Sequence, residues 1–287
     1  VAELWIADHE GSRSADPETQ LLIEALDRLG LTAVRRDWHQ PGAWDTTNLT
    51  LIRSTWDYTT CLDDFLAWTR AVPGLENPAE VIAWNCDKSY LLELAASSVP
   101  TVESLVLAAG EQAALPSGPL VVKPAIGAGS RLAASFASAG PDLDAHLQQI
   151  WASGSRALIQ PEIASVAAVG ELNLVFFGGE YSHAARKGPM LGREDDLDPS
   201  GLSVRENLSL EIAPAQAIAV AKSAMDAVEA IGLTRQALLY GRVDLFEDDG
   251  NWLVSELELI EPALFLHLAE GSADNLASQV LARLDER

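Results

Sequence analysis

Apolar and polar positions along this chain recur with two periods, and the changes of period mark out its elements. Residues 2–7 form a short apolar stretch read as a first strand. Leu21, Leu22, Ala25, Leu26 and Leu29 then follow helical spacing. Asp16 can cap that helix, Pro17 can take its first position and Gly30 can end it. Residues 32–38 and 49–54 read as strands across the Pro41-Gly42 turn, and 62–72 as a second amphipathic helix. This alternation is that of a wound α/β layer. Asn77-Pro78 breaks it. Beyond, the pattern predicts a helix over 84–98 with Lys88 in its first turn, and strands over 102–106 and 119–124. A glycine loop follows over 125–131, then a helix over 142–152 and strands over 156–160 and 171–177. Residues 187–212, with Gly188-Pro189, Glu194-Asp195-Asp196 and Pro199, read as a long loop that is a lid or is mobile. Helices over 214–231 and after Ser272 complete the chain.

The most informative stretch is Arg242-Val243-Asp244-Leu245, joined through Glu247-Asp248-Asp249-Gly250 to Glu256-Leu257-Glu258-Leu259. On strands, Arg242 and Asp244 share one face, and Glu256 and Glu258 share another. A hairpin would bring three carboxylates and one guanidinium into a small volume. Such like charges call for a cation, and hard oxygen donors suit Mg²⁺ shared with nucleotide phosphates. A solvated acidic hairpin face is the bland alternative; the apolar Val243, Leu245, Leu257 and Leu259 between the charges speak against it.

Lys123 ends a strand just before Gly127, Gly129 and Ser130, where small residues let backbone N–H groups approach phosphate oxygens. The loop is neither a Walker A sequence nor G-x-G-x-x-G, and a surface lysine is the competing reading. Lys88 is equally open. Arg53, ending an apolar strand, could grip a carboxylate in bidentate fashion or could pair with Asp57. His183 suits a structural hydrogen bond as well as a proton carrier, and Trp56 and Trp84 read as core.

Composition narrows the partners. The 287 residues, 48% hydrophobic and 21% charged, are ordinary for a globular protein able to bury a core. With 42 acids against 19 bases, the formal charge of −23 argues against nucleic acid and anionic membrane surfaces. Cys61 and Cys86, far apart, form no disulfide or zinc pattern. The first ten residues, with Glu3, Asp8 and Glu10, lack the pattern of a signal peptide, and no apolar run has the roughly 20 residues needed to cross a bilayer. A reducing cytoplasm is the expected location.

The order of these pieces carries more than any one of them. Lys88, Lys123 before a glycine loop, the apolar hinge from Leu158 to Ile163, Gly170-Glu171, then R-x-D and E-x-E form a series that resembles the ATP-grasp superfamily over essentially the whole chain. The nearest likeness is to its glutathione-synthetase-like branch. Residues 51–58 (Leu-Ile-Arg-Ser-Thr-Trp-Asp-Tyr), Asn77-Pro78, Trp84-Asn85, Asp87-Lys88, residues 179–184 and residues 256–262 are similar to a subgroup of ring-closing ligases acting on O-ureido-serine.

The resemblance implies an α/β ATP-grasp fold: an N-terminal wound substrate-side domain (1–84), a central α+β domain (85–162) and a C-terminal α+β domain (163–287). It implies ATP and Mg as cofactors. Lys88 and Lys123 would contact phosphates together with Gly127, Gly129 and Ser130. Gln160, Pro161 and Ile163 would hold adenine, and Glu171 the ribose. Asp244, Glu256 and Glu258 would hold metal. Arg242, with Lys123 and Lys187, would serve the chemistry, while Arg53, Asp57, Tyr58 and His183 would face a small amino-acid-like substrate. Many relatives carry Asn where this chain has Glu258, so its site holds one more negative charge. The implied activity joins carbon to nitrogen through an acyl phosphate, with closure of O-ureido-D-serine to D-cycloserine foremost. An intermolecular carboxylate–amine ligase and a non-catalytic nucleotide-binding module are the rivals. Nothing in the sequence decides whether the chain forms a homo-oligomer.

Overall fold

Leu4 and Ile6 face one way and Trp5 and Ala7 the other, and all four are buried, so the first strand is covered on both faces. A computed structural model describes residues 3–42, 44, 49–129, 131–188 and 207–287. Strand β1 (Glu3–Asp8) is the centre of a three-stranded parallel sheet, flanked by β2 (Thr32–Asp37) and β3 (Thr50–Ile52) in the order β2-β1-β3. Helix α1 (Glu18–Arg28) is tied at its start by Asp16, whose Oδ1 accepts the Thr19 N–H at 3.1 Å, as the capping pattern predicts. Helix α2 (Leu62–Ala71) closes this layer.

The helix expected over 84–98 is two helices. Helix α3 (Ala79–Asn85) starts directly after Asn77-Pro78, and α4 (Tyr90–Ala96) follows a turn. Asp87 makes that break: its Oδ1 accepts the Ser89 N–H at 2.9 Å and the Ser89 hydroxyl at 2.7 Å, a side-chain turn that competes with the helix. Lys88 therefore lies in the turn before α4.

A second, antiparallel sheet runs β4-β7-β5-β6, from β4 (Leu105–Leu107), β5 (Leu120–Pro124), β6 (Ala134–Phe136) and β7 (Ala157–Pro161), with α5 (Pro141–Ala152) packed on it. After α6 (Ala164–Val169) comes β8 (Glu171–Phe177). With β9 (Glu180–Lys187), β10 (Leu208–Glu211), β11 (Tyr240–Asp248) and β12 (Asn251–Glu258) it builds the third sheet, β10-β9-β8-β11-β12. The predicted hairpin is β11–β12. Gly170 is required at its position: φ is +72°, and a Cβ there would lie 1.9 Å from the Lys187 carbonyl oxygen.

Beneath the third sheet, Leu172, Leu174, Phe176, Val243, Leu245 and Leu257 form one core with α7 (Ala215–Met225), and α3 and α4 join it through Val81, Tyr90, Leu91 and Leu94. The expected helix over 214–231 is α7 followed by tighter turns over 226–231 that end at Gly232, φ 78°. Helix α8 (Ser272–Asp285) packs in the core that also holds α1. The expected lid, residues 187–212, is described only as the end of β9 with Gly188 and as β10 with its neighbours; residues 189–206 lie outside the described residues.

Buried amides clamp the third sheet to the helices. Asn85 donates to Leu257 O at 2.8 Å and accepts from Leu259 N at 2.8 Å. Asn77, at φ 56°, donates to Tyr240 O and Leu259 O and accepts from Leu239 N. Tyr90 Oη accepts the Leu257 N–H at 2.9 Å. Replacing Asn85 by Leu orphans a buried carbonyl and a buried N–H together. We expect Asn85→Leu to cost about 2–4 kcal/mol in urea denaturation and Tyr90→Phe, which orphans one group, about half that.

Candidate active site

The functional face of the third sheet follows from its register. Arg242 lies between Glu258 and Val175, and Asp244 between Glu256 and Asn173. Residues directly opposite in antiparallel strands share a face, so Glu171, Asn173, Arg242, Asp244, Glu256 and Glu258 all project from one side. The other side carries the apolar core. A register shift after Asp244 locally re-aims the strand pair, and Ser255 Oγ donates to the Asp244 carbonyl at 3.0 Å across it.

Arg242 is the hub. Its Nε and Nη2 donate to the two Asp244 oxygens at 2.7 and 3.0 Å, Nη2 also meets Glu258 Oε1 at 2.5 Å, and Nη1 donates to the Ala263 carbonyl at 3.0 Å. Lys88 Nζ and Lys123 Nζ each lie 3.0 Å from a different oxygen of Glu256. Lys88 also donates to the Gly127 carbonyl at 2.7 Å, which ties the glycine loop to the same point. Lys187 Nζ lies 3.7 Å from Glu171 Oε1.

These groups stand in a medium that disfavours charge, so each protonation state depends on its neighbours. Burial works to raise Glu256, but Lys123 and Lys88 outweigh it and hold the carboxyl far below the ordinary range. Burial, with Asp244, Glu256 and Glu261 nearby, pushes Glu258 up to about 8 against the pull of Arg242. Burial likewise pushes Glu261 up to about 7 against Lys88, Arg53 and Arg242. The cations of the chain therefore leave the carboxylates incompletely neutralised. Carboxylate oxygens in excess, on a fixed strand face, are a donor set that fits a hard divalent cation.

Not every expected residue joins this cluster. Gln160 is buried and donates to Ser104 Oγ at 3.0 Å; Pro161 pairs with Leu120 in the second sheet, and Ile163 is buried just beyond it. Gly129, at φ 61°, lies in the loop, and Ser130 is outside the described residues. Tyr58 is buried, and burial together with Glu261, Cys86, Glu258 and Glu256 raises its hydroxyl, which puts it beside the cluster.

The alternative in which Arg53 pairs with Asp57 is not what forms. Arg53 Nη1 donates to the Pro262 carbonyl at 2.9 Å and Nη2 lies 3.6 Å from Glu18, because the side chain is drawn beneath the 262–268 segment. Asp57 instead accepts from Trp38 Nε1 at 3.0 Å and meets His39. His183 takes the structural role: Nε2 bonds the Leu264 carbonyl at 2.9 Å, Nδ1 meets Ser182 Oγ at 3.0 Å, and burial lowers its proton affinity. Trp56 and Trp84 are half-buried, and Trp84 packs on the core beneath the third sheet.

Two residues of the cluster escaped the sequence reading. Asn173 is fully buried on the charged face, beside Glu171, without a hydrogen bond of good geometry to either amide atom. Its signal was the alternation Glu171-Leu172-Asn173-Leu174, which places it beside Glu171. Glu261 had no such signal, because it lies beyond the last residue of β12.

This architecture is the ATP-grasp fold. The D-alanine–D-alanine ligase from Bacillus anthracis complexed with ATP superposes with a TM-score of 0.68 at 14% identity, covering 100% of this chain and 98% of that one. The crystal structure of D-cycloserine synthetase DcsG superposes with a TM-score of 0.88 at 32% identity, covering 99% and 100%. Residues 4–78 match the family of the D-cycloserine synthetase DcsG N-terminal domain. The cycloserine biosynthesis protein DcsG of Streptomyces lavendulae is 34% identical over 280 residues, 92% of each chain. The chain belongs to the DcsG family of ATP-grasp carbon–nitrogen ligases.

The pairing at Glu256 has a measurable consequence. Glu256→Gln leaves two largely buried ammonium groups without their counter-charge, and we expect it to destabilise the ligand-free chain by about 2–3 kcal/mol. Adding Lys123→Met should recover part of that loss in a double-mutant cycle of chemical denaturation.

Proposed function

We propose that this chain closes O-ureido-D-serine to D-cycloserine at the expense of Mg·ATP, with ADP and phosphate as products and the carbamoyl group of the substrate, after uptake of water, released as carbon dioxide and ammonia. The observation that carries the reading is the convergence of Lys88, Lys123 and Arg242 on Glu256, Asp244 and Glu258, within a chain that resembles DcsG along nearly its whole length. We assign residues 1–84 to the substrate-side unit, 85–162 to the central unit and 163–287 to the unit that carries the metal carboxylates.

In phosphoryl transfer the protein contributes mainly position and charge neutralisation. Lys88 and Lys123 are assigned to the nucleotide phosphates, for which Glu256 stands in when no nucleotide is bound. Gly127 and Gly129 would form the phosphate loop, Gln160, Pro161 and Ile163 the adenine wall, and Glu171 the ribose acceptor. Asp244, Glu256 and Glu258 would hold Mg²⁺, which supplies charge neutralisation at the phosphates when bound. The substrate carboxylate attacks the γ-phosphorus and ADP leaves. The oxygen-bound ureido nitrogen of the same molecule then attacks the acyl carbon, loses its proton and displaces phosphate, which closes the ring. Water takes up the carbamoyl group from that nitrogen, and the carbamate breaks down to carbon dioxide and ammonia. Arg242 would neutralise charge on the phosphoryl group, with Lys187 at the opposite edge. Holding nucleophile and acyl phosphate in one molecule makes the second step intramolecular, which removes the cost of assembling two reactants. Of the four substrate-side candidates, Tyr58 lies beside the cluster, while Arg53, Asp57 and His183 already carry protein partners.

The reading is tested by phosphate release from Mg·ATP with O-ureido-D-serine as the sole added substrate, the product being identified by mass. Phosphate with a cyclised product is expected. Turnover that appears only when a separate amine is added would replace the cyclo-ligase with an intermolecular ligase. Arg242→Ala is expected to lower kcat by about 10²–10³-fold while equilibrium ATP binding is retained. Unchanged kcat would remove Arg242 from the chemistry.

A further inference from the structure

Outside the ligase cluster, three side chains converge where the parallel sheet ends. His9 directly follows β1, His39 follows β2 by two residues, and Asp57 lies in the turn after β3. One ligand atom from each, a ring nitrogen of either histidine and a carboxylate oxygen, falls within 4.8 Å of the others. His9 Nδ1 is buried and makes no hydrogen bond, although it is aimed at two carboxylates, Asp57 Oδ2 at 3.7 Å and Asp37 Oδ2 at 3.5 Å. His39 Nε2 meets the same Asp57 oxygen at 2.5 Å.

The groups behind these atoms hold them in place. Trp38 Nε1 donates to Asp57 Oδ1 at 3.0 Å and leaves Oδ2 turned to the histidines. The His39 ring lies 3.8 Å from the Trp38 ring, centroid to centroid. Gly11 gives the His9 ring its space, since a Cβ there would lie 2.8 Å from Nε2. Asp37 accepts the Glu10 N–H at 2.7 Å and the His39 N–H at 2.9 Å, which fixes the two loops that carry the histidines. Ligands oriented by hydrogen bonds from a surrounding shell are the usual form of a transition-metal site.

We propose that His9 Nδ1, His39 Nε2 and Asp57 Oδ2 bind one zinc-class divalent ion, in a site separate from the Mg²⁺ carboxylates. Two imidazoles and one carboxylate are the donor chemistry that zinc takes when a fourth position stays open to water. In a tetrahedral site with ligand bonds near 2 Å, ligand atoms stand about 3.3 Å apart. The His9–Asp57 separation is already close to that, and the His39–Asp57 pair has to open by less than an ångström. Metal at His39 Nε2 takes the place of any proton there, which moves to Nδ1 of a neutral ring or leaves to solvent from an imidazolium. The ion ties together the loops after all three strands of the N-terminal sheet. This site does not depend on the ligase reading.

The test is a titration of the full chain, stripped with EDTA, with Co²⁺ and Zn²⁺. The visible bands of Co²⁺ report geometry, and calorimetry in two buffers reports affinity and proton release. One equivalent is expected, with intense tetrahedral bands, a micromolar dissociation constant and a raised melting temperature. His9→Ala and His39→Ala should each weaken binding at least tenfold, with the fold checked by circular dichroism, while Asp244→Asn leaves it unchanged. Absence of tetrahedral bands in the wild type would overturn the proposal. So would binding that survives both histidine substitutions, or bands lost with Asp244→Asn.

Discussion

The arrangement rests on one electrostatic constraint: more carboxylate than cation has to be held in a volume largely closed to water. Glu171, Asp244, Glu256, Glu258 and Glu261 face Lys88, Lys123, Lys187 and Arg242, and burial presses against the charges of Glu171, Glu256, Glu258, Glu261, Lys88 and Arg242. Such a cluster is tolerable only where each charge finds partners at short range. Glu256 shows how this is met. Its two oxygens are divided between lysines from two different elements, so one side chain joins the turn before α4 to the second sheet. Arg242 does the same for Asp244 and Glu258 on the hairpin itself.

That cluster needs a rigid frame, which buried amides and carboxylates bonded to backbone supply. Asn77, Asn85 and Tyr90 occupy main-chain groups at the end of the hairpin that no strand neighbour reaches. Glu18, from α1, accepts the N–H groups of Leu264 and Leu266, so the segment following β12 is held from the N-terminal layer. Tyr240 Oη bridges the Ile52 and Ile260 carbonyls in the same region. Several residues that first pointed to the family, Asn77 and Asn85 among them, thus act by positioning the charged strands. Their place in the resemblance reflects that geometry as much as contact with a ligand.

A Leu or Ala in place of these amides would pack as well and would leave main-chain groups dry and unpaired, which costs more than the packing returns. The same reasoning makes Asn173 unusual. It is buried in the middle of the charged face without a hydrogen bond of good geometry, where an apolar residue would be the cheaper occupant. Unpaired buried atoms also occur in the N-terminal layer, at Trp5, Thr55 and Trp68, but Asn173 stands among the charges assigned to ligands.

Local stereochemistry was legible in the sequence. The period of two placed Arg242 with Asp244 and Glu256 with Glu258, because alternation along a strand is a property of the pleat and needs no distant partner. The capping of α1 by Asp16 and the β11–β12 hairpin were read for the same reason. The helix over 84–98 was misread because Asp87 turns the chain with its side chain, a local competition that apolar spacing does not register. Only the tertiary structure decided that Lys88 and Lys123 share one glutamate, that Arg53 answers Glu18 and Pro262 instead of Asp57, and that His9, His39 and Asp57 meet. Each of these pairings joins groups on separate elements or loops, and such meetings are set by which faces pack and which strands neighbour one another. Those choices belong to the whole chain at once.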